Sequence, residues 1–262
     1  MKIKEQAWYI IGAIILLAGL YFGFDIHPSS QKALEKSRAL NAQEYDITSY
    51  QAEAKKSLKA EDIQYLETLE SQLQHAGADS VKFNVLKQLS GYWYQMGNPV
   101  MAGLYAKEVA EKENTGLSWS ITGTTFASGL QRDLEEKQKL FLRDQALEAF
   151  EKAISLEPQE VDHRVNQALC YVEMPAAGEP MKGIQMLAGL ATTYPESAGP
   201  PYQLARLAVR TGQYDRALTR IEQAMELAPE DQRIACLAAD IYTALNRPDE
   251  AAKLAERCAP KK

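Results

Sequence analysis

The sequence predicts an all-α protein: an N-terminal transmembrane helix followed by an α-solenoid of helix-turn-helix repeats. Two observations carry this. Residues 7–24 run for 18 positions without a charge, and a set of small and apolar residues returns downstream near a 34-residue period. Composition agrees, because 46% hydrophobic and 24% charged residues in a chain of 262 supply a large core and exclude a wholly disordered chain.

The apolar segment AWYIIGAIILLAGLYFGF (7–24) spans about 27 Å as a helix at roughly 1.5 Å per residue, enough to cross a bilayer. Trp8 and Tyr9 at one end and Tyr21 and Phe22 at the other place rings near both interfaces. A cleaved signal peptide needs a shorter apolar core and a small-x-small cleavage site, and neither fits. An uncleaved signal anchor is therefore expected. Lys2 and Lys4 lie in the tail at 1–6, whereas no cation follows the span until Lys32. That asymmetry favours a cytoplasmic tail and a body outside the cytoplasm, the periplasm in a bacterial inner membrane. Lys32, Lys36 and Arg38 oppose it and keep a cytoplasm-facing body open.

Residues 25–60 are expected to be a linker and polar helical stalk, since from Gln31 onward they are rich in Ala, Lys, Glu and Gln with few large apolar groups. The body is placed at 61–262. Its first helix is marked by Ile63, Leu66, Leu69 and Leu73, with Gly77 as its C-terminal cap.

The repeat is read from subtraction. Ala146-x-x-x-Phe150-x-x-Ala153 followed by Pro158 returns as Gly183, Leu187, Leu190 and Pro195, then as Ala217, Ile221, Ala224 and Pro229. The offsets are 37 (183 − 146) and 34 (217 − 183), and 251 − 217 gives 34 again at Ala251. The three extra residues fall in Met174–Pro180, whose Pro and Gly suit a connection. Small residues such as Ala205 and Ala217 let helices approach closely, while Leu204 and Ile221 fill the space between units.

These residues resemble the tetratricopeptide repeat (TPR) family. The segment TGQYDRALTRIEQAMELAPED (211–231) matches best, with Gly212, Tyr214, Ala217, Ala224 and Pro229 at the family's turn, second-helix and terminating positions. The last unit repeats it with Ala239, Tyr242, Ala251 and Asn246 in the glycine position. Trp119, Gly123 and Phe126 fit a first helix, and Leu89, Trp93, Gly97 and Ala102 a more degenerate unit, giving about five units. The whole chain looks like the single-span TPR proteins of bacteria. Between Gly123 and Ala146 about 11 residues exceed the family spacing, to be accommodated by longer helices or a protrusion.

The charge balance of 29 Lys and Arg against 35 Asp and Glu, net −6, has the wrong sign for phosphates, so no nucleic-acid partner is expected. No phosphate loop, nucleophile elbow, HExxH or EF-hand pattern occurs. Three widely spaced cysteines, Cys170, Cys236 and Cys258, argue against a disulfide framework or zinc site, and the three histidines lack metal-ligand spacing. Neither metal nor cofactor is expected. Cys170 and Cys258 read as packing residues, and His163 as a solvated histidine between charged neighbours.

The resemblance implies a protein-binding surface on the first helices. Carried onto this chain it selects Tyr94, Gln95, Val165, Leu169, Tyr202, Arg206, Arg210, Arg233, Cys236 and Asp240. Arg206, Arg210 and Arg233 either hold an acidic group of a partner or pair with neighbouring carboxylates. The expectation is a non-enzymatic adaptor for protein partners in envelope assembly, with a thiol enzyme built on Cys236 as the remote alternative.

Overall fold

The computed structural model describes residues 47–258. The tail, the anchor and the start of the stalk lie outside the described residues. Within them no helix is long and apolar enough to cross a membrane. The body is a run of twelve helices among the described residues. They are α1 (Ile47–Lys56), α2 (Ala60–His75), α3 (Asp79–Gln95), α4 (Pro99–Glu113), α5 (Gly116–Ala127) and α6 (Glu136–Leu156), then α7 (Val161–Glu173), α8 (Lys182–Thr193), α9 (Gly199–Arg210), α10 (Tyr214–Leu227), α11 (Gln232–Ala244) and α12 (Pro248–Cys258).

From α2 to α12 each helix packs on the next, and from α3 onward they fall in chain order into five pairs: α3/α4, α5/α6, α7/α8, α9/α10 and α11/α12. The spacing in the sequence expects about five units over this stretch. Local chemistry sets their ends. Asn98 caps α4 by accepting from the Met101 amide at 3.0 Å, and Thr115 with Ser118 forms a capping box on α5. Pro200 and Pro201 sit in the first turn of α9, where an absent amide donor costs nothing. Gly212 and Asn246 take φ of +71° and +57° at equivalent turns, a region open to glycine and tolerated by asparagine.

Ala205, Ala217, Ile221 and Ala224 are all fully buried and share one core with Ile234, Ala238 and Ile241. A second core gathers Leu66, Leu69, Leu86, Leu89, Trp93 and Met101. Tyr50 and Ala54 of α1 pack against it, the Tyr50 hydroxyl meets Asn98 Oδ1 at 3.1 Å, and Lys55 pairs with Glu70 at 2.6 Å. The stretch read as stalk up to residue 60 therefore contributes a docked helix from Ile47 onward; apolar residues too few to show a stripe suffice because a ready-made surface receives them. Gly77 lies beyond the end of α2, which Ala76 closes in extended conformation.

The extra residues after Gly123 become length. Helix α6 has 21 residues and buries Phe141 and Leu142 near its start, so the insertion extends the second helix and packs. Glu148 of α6 sits between Lys107 of α4 at 3.2 Å and Lys152 at 3.3 Å. Burial pushes its carboxyl up, but the two ammonium groups outweigh this and hold it below the ordinary value. A carboxyl with a lowered folded-state pKa contributes stability above its unfolded pKa and loses it as pH falls through the folded one. Glu148→Gln is thus expected to melt below the parent at pH 7. The two melting curves should converge as pH drops through and below the carboxylate range.

Candidate functional site

The first helices of successive pairs form a row in which α5 touches α7, α7 touches α9 and α9 touches α11. Two cavities open along it. One, of about 510 Å3, lies between α3, α4 and α5; Tyr94 and Ile121 wall it and are 53% and 52% exposed. Lys87 and Glu113, paired at 2.9 Å, stand at its edge. The other, of about 390 Å3, has Leu169, Leu207 and Leu237 as apolar lining and Asn166, Gln203 and Arg206 as polar lining. Thr124 borders both, so they form one groove that meets the first helix of every pair.

The groove has a polarity. Around Tyr94 its charges are already paired, and apolar and small hydroxyl groups dominate. Around α9 it carries arginines with different commitments. Arg210 forms an ion pair with Glu173 of α7, and Arg233 holds Asp231 at 2.7 Å in its own turn. The Asp231 carboxyl is held low chiefly by hydrogen bonds from Arg233. Arg206 is exposed, donates to Gln203 Oε1 at 2.9 Å and has no carboxylate partner among the described residues. A neutral amide leaves its charge available to an incoming anion.

The expected site residues divide accordingly. Tyr94, Leu169, Arg206 and Arg210 line the groove. Tyr202 and Arg233 line a separate recess of about 300 Å3, the Tyr202 ring lying 5.9 Å from the guanidinium of Arg206 and 5.8 Å from that of Arg233. Arg206 and Arg233 thus share the Tyr202 ring, while Arg210 is paired with Glu173. Gln95 and Asp240 are exposed but border neither cavity of the groove. Val165 is corrected: it is 3% exposed and packs with Ala168 and Leu187. The register carried from the family put it one face away from where the turn of α7 sends it.

Cys236 is corrected as well. It is disulfide-bonded to Cys258, with Cα atoms 5.1 Å apart, so it offers no free thiol and the remote enzymatic reading loses its nucleophile. An odd number of cysteines excludes complete pairing, not one bridge. Cys170 borders the groove but is 1% exposed, and burial pushes its thiol up to about 12, leaving it protonated at neutral pH. His163 is not solvated: it is 4% exposed, with Nε2 facing Glu157 Oε2 at 3.2 Å.

Ile121, Asn166 and Gln203 were not singled out by the sequence. Leu117 and Ile121 share one face of α5 at helical spacing and are exposed, while Trp119 and Phe126 are buried on the other. An apolar residue on the face opposite a full core stripe was the available signal.

The comparisons agree with this geometry where it is most regular. The tetratricopeptide repeat profile matches residues 202–261. Over these residues the chain matches the tetratricopeptide repeat. Solved structures of MamA are also similar. A crystal structure of MamA protein is 16% identical, covering 67% of this chain and 89% of its own at a TM-score of 0.38. MamA residues 41 to the end from Desulfovibrio magneticus RS-1 is 17% identical, covering 70% and 95% at a TM-score of 0.39. At these scores the likeness decides nothing further. No curated protein matches the chain. The matched residues take in most of α9, all of α10 and α11, and α12, the two pairs whose turns carry Gly212 and Asn246.

Proposed function

We propose that this chain is a membrane-anchored scaffold that holds partner polypeptides in the groove along its first helices, serving assembly of complexes in the cell envelope. The observation that carries the reading is the continuity of the groove through Thr124 past all five units. It suits a segment with an aliphatic or aromatic side chain against Tyr94 and Ile121 and an acidic group at Arg206. Binding is the whole of its function in this reading. Residues 7–24 supply the anchor, and the bridge between Cys236 and Cys258 supports a body in an oxidising compartment such as the periplasm.

The test is capture of partners by the full chain from native membranes. Ile121→Asp should lower the captured partners about tenfold, the order expected when a charge replaces a buried apolar contact. Melting should stay within about 0.5 kcal/mol of the parent, because Ile121 is 52% exposed. Undiminished capture contradicts the groove reading. The cations at Lys32, Lys36 and Arg38 favour the second reading, a cytoplasm-facing scaffold. Alkaline phosphatase fused after Lys262 decides between the two, being active only if the body lies outside the cytoplasm.

A further inference from the structure

Helix α12 ends the described body, and only Ala251 and Leu254 of it are buried, each 8% exposed, in a core with Ala238, Ile241 and Tyr242. These two side chains anchor α12 along its contact with its pair partner α11. Its C-terminal end is held in two further ways, both to the start of α11: the disulfide from Cys236 to Cys258, and a hydrogen bond from Gln232 Nε2 to the Cys258 carbonyl at 3.0 Å. Both bridged cysteines are half-buried, whereas Cys170 is buried and protonated.

We infer that Cys236 and Cys258 form a thiol–disulfide exchange site whose oxidation latches α12 onto α11. The co-reactant is a small-molecule or protein disulfide. A thiolate of the pair attacks it, forming a mixed disulfide and releasing one thiol; the second cysteine then displaces the other thiol. Two electrons and two protons pass from the cysteine pair to the co-reactant, which leaves as two thiols. The reverse exchange, with a dithiol reductant, returns both cysteines to thiols and frees α12 to detach. The latch closes a loop with a sequence separation of 22 residues and so removes open conformations of α12 from the ensemble.

Hydrogen exchange on the full chain tests the latch, with mass spectrometry reporting the thiol state. After equilibration with glutathione disulfide, Cys236 and Cys258 should resist alkylation. Residues 248–258 should then exchange slowly. After reduction, or in Cys258→Ser, the same segment should exchange about tenfold faster or more, while α5 to α9 change little. Equal exchange in both states overturns the latch. So does a pair that glutathione disulfide cannot oxidise. Partner capture in the groove is a separate readout, so failure of either idea leaves the other standing.

Discussion

Gly183→Ala should lower stability by about 3 kcal/mol, the upper range for overpacking, and shift melting by roughly 6 to 12 °C for a body of this size. A Cβ at Gly183 would lie 2.5 Å from the Ala168 carbonyl oxygen and 2.6 Å from the Val172 amide nitrogen. Both are backbone atoms of the partner helix α7, so no rotamer change relieves the clash; α7 and α8 must separate. The same substitution six residues further along α8 has the opposite sign. Gly189 is exposed and a Cβ there meets nothing within 4 Å. Gly189→Ala should therefore stabilise by about 0.5 to 1 kcal/mol through helix propensity alone. Thermal denaturation of the two variants checks both signs, and destabilisation of equal size at both sites would contradict the tight crossing of α7 and α8.

Ala217→Leu should cost about 1 to 3 kcal/mol. Ala217 is fully buried in one core with Ala205, Ile221 and Ala224, where the added methylene and methyl groups have no void to enter. In a repeat array the loss falls first on the interfaces of the affected unit. Hydrogen exchange should accordingly rise in α9 to α12 before it rises in α3 and α4. Unchanged melting would remove Ala217 from a close helix crossing.

What could be read in the sequence was what local chemistry decides. Gly212 and Asn246 announce left-handed turns, Pro200 and Pro201 a first turn, and the small residues at 146, 183 and 217 the helix crossings; each acts within a few residues of itself. The missed features depend on neighbours distant in sequence. Val165 and His163 turned inward because residues adjacent in sequence point about 100° apart on a helix, and charged flanks such as Asp162 and Arg164 say little about the position between them. The bridge did have a signal. Cys236 and Cys258 stand 11 residues either side of Arg247 (247 − 236 and 258 − 247), at the turn where α11 reverses into α12. Of the expected site, Tyr94, Leu169, Arg206 and Arg210 lie on the groove, but which arginine already had a carboxylate partner was settled by Glu173 on α7, not by the sequence around Arg210.

The central claim is that partners lie along the first helices. Photo-crosslinkers placed singly at Tyr94, Ile121, Gln203 and Arg206 of the full chain, and for contrast at exposed Leu156 and Glu256 outside the groove, test it most directly in the native cell. The account predicts protein adducts from the first four sites and none from the other two. Adducts confined to Leu156 or Glu256 would contradict it.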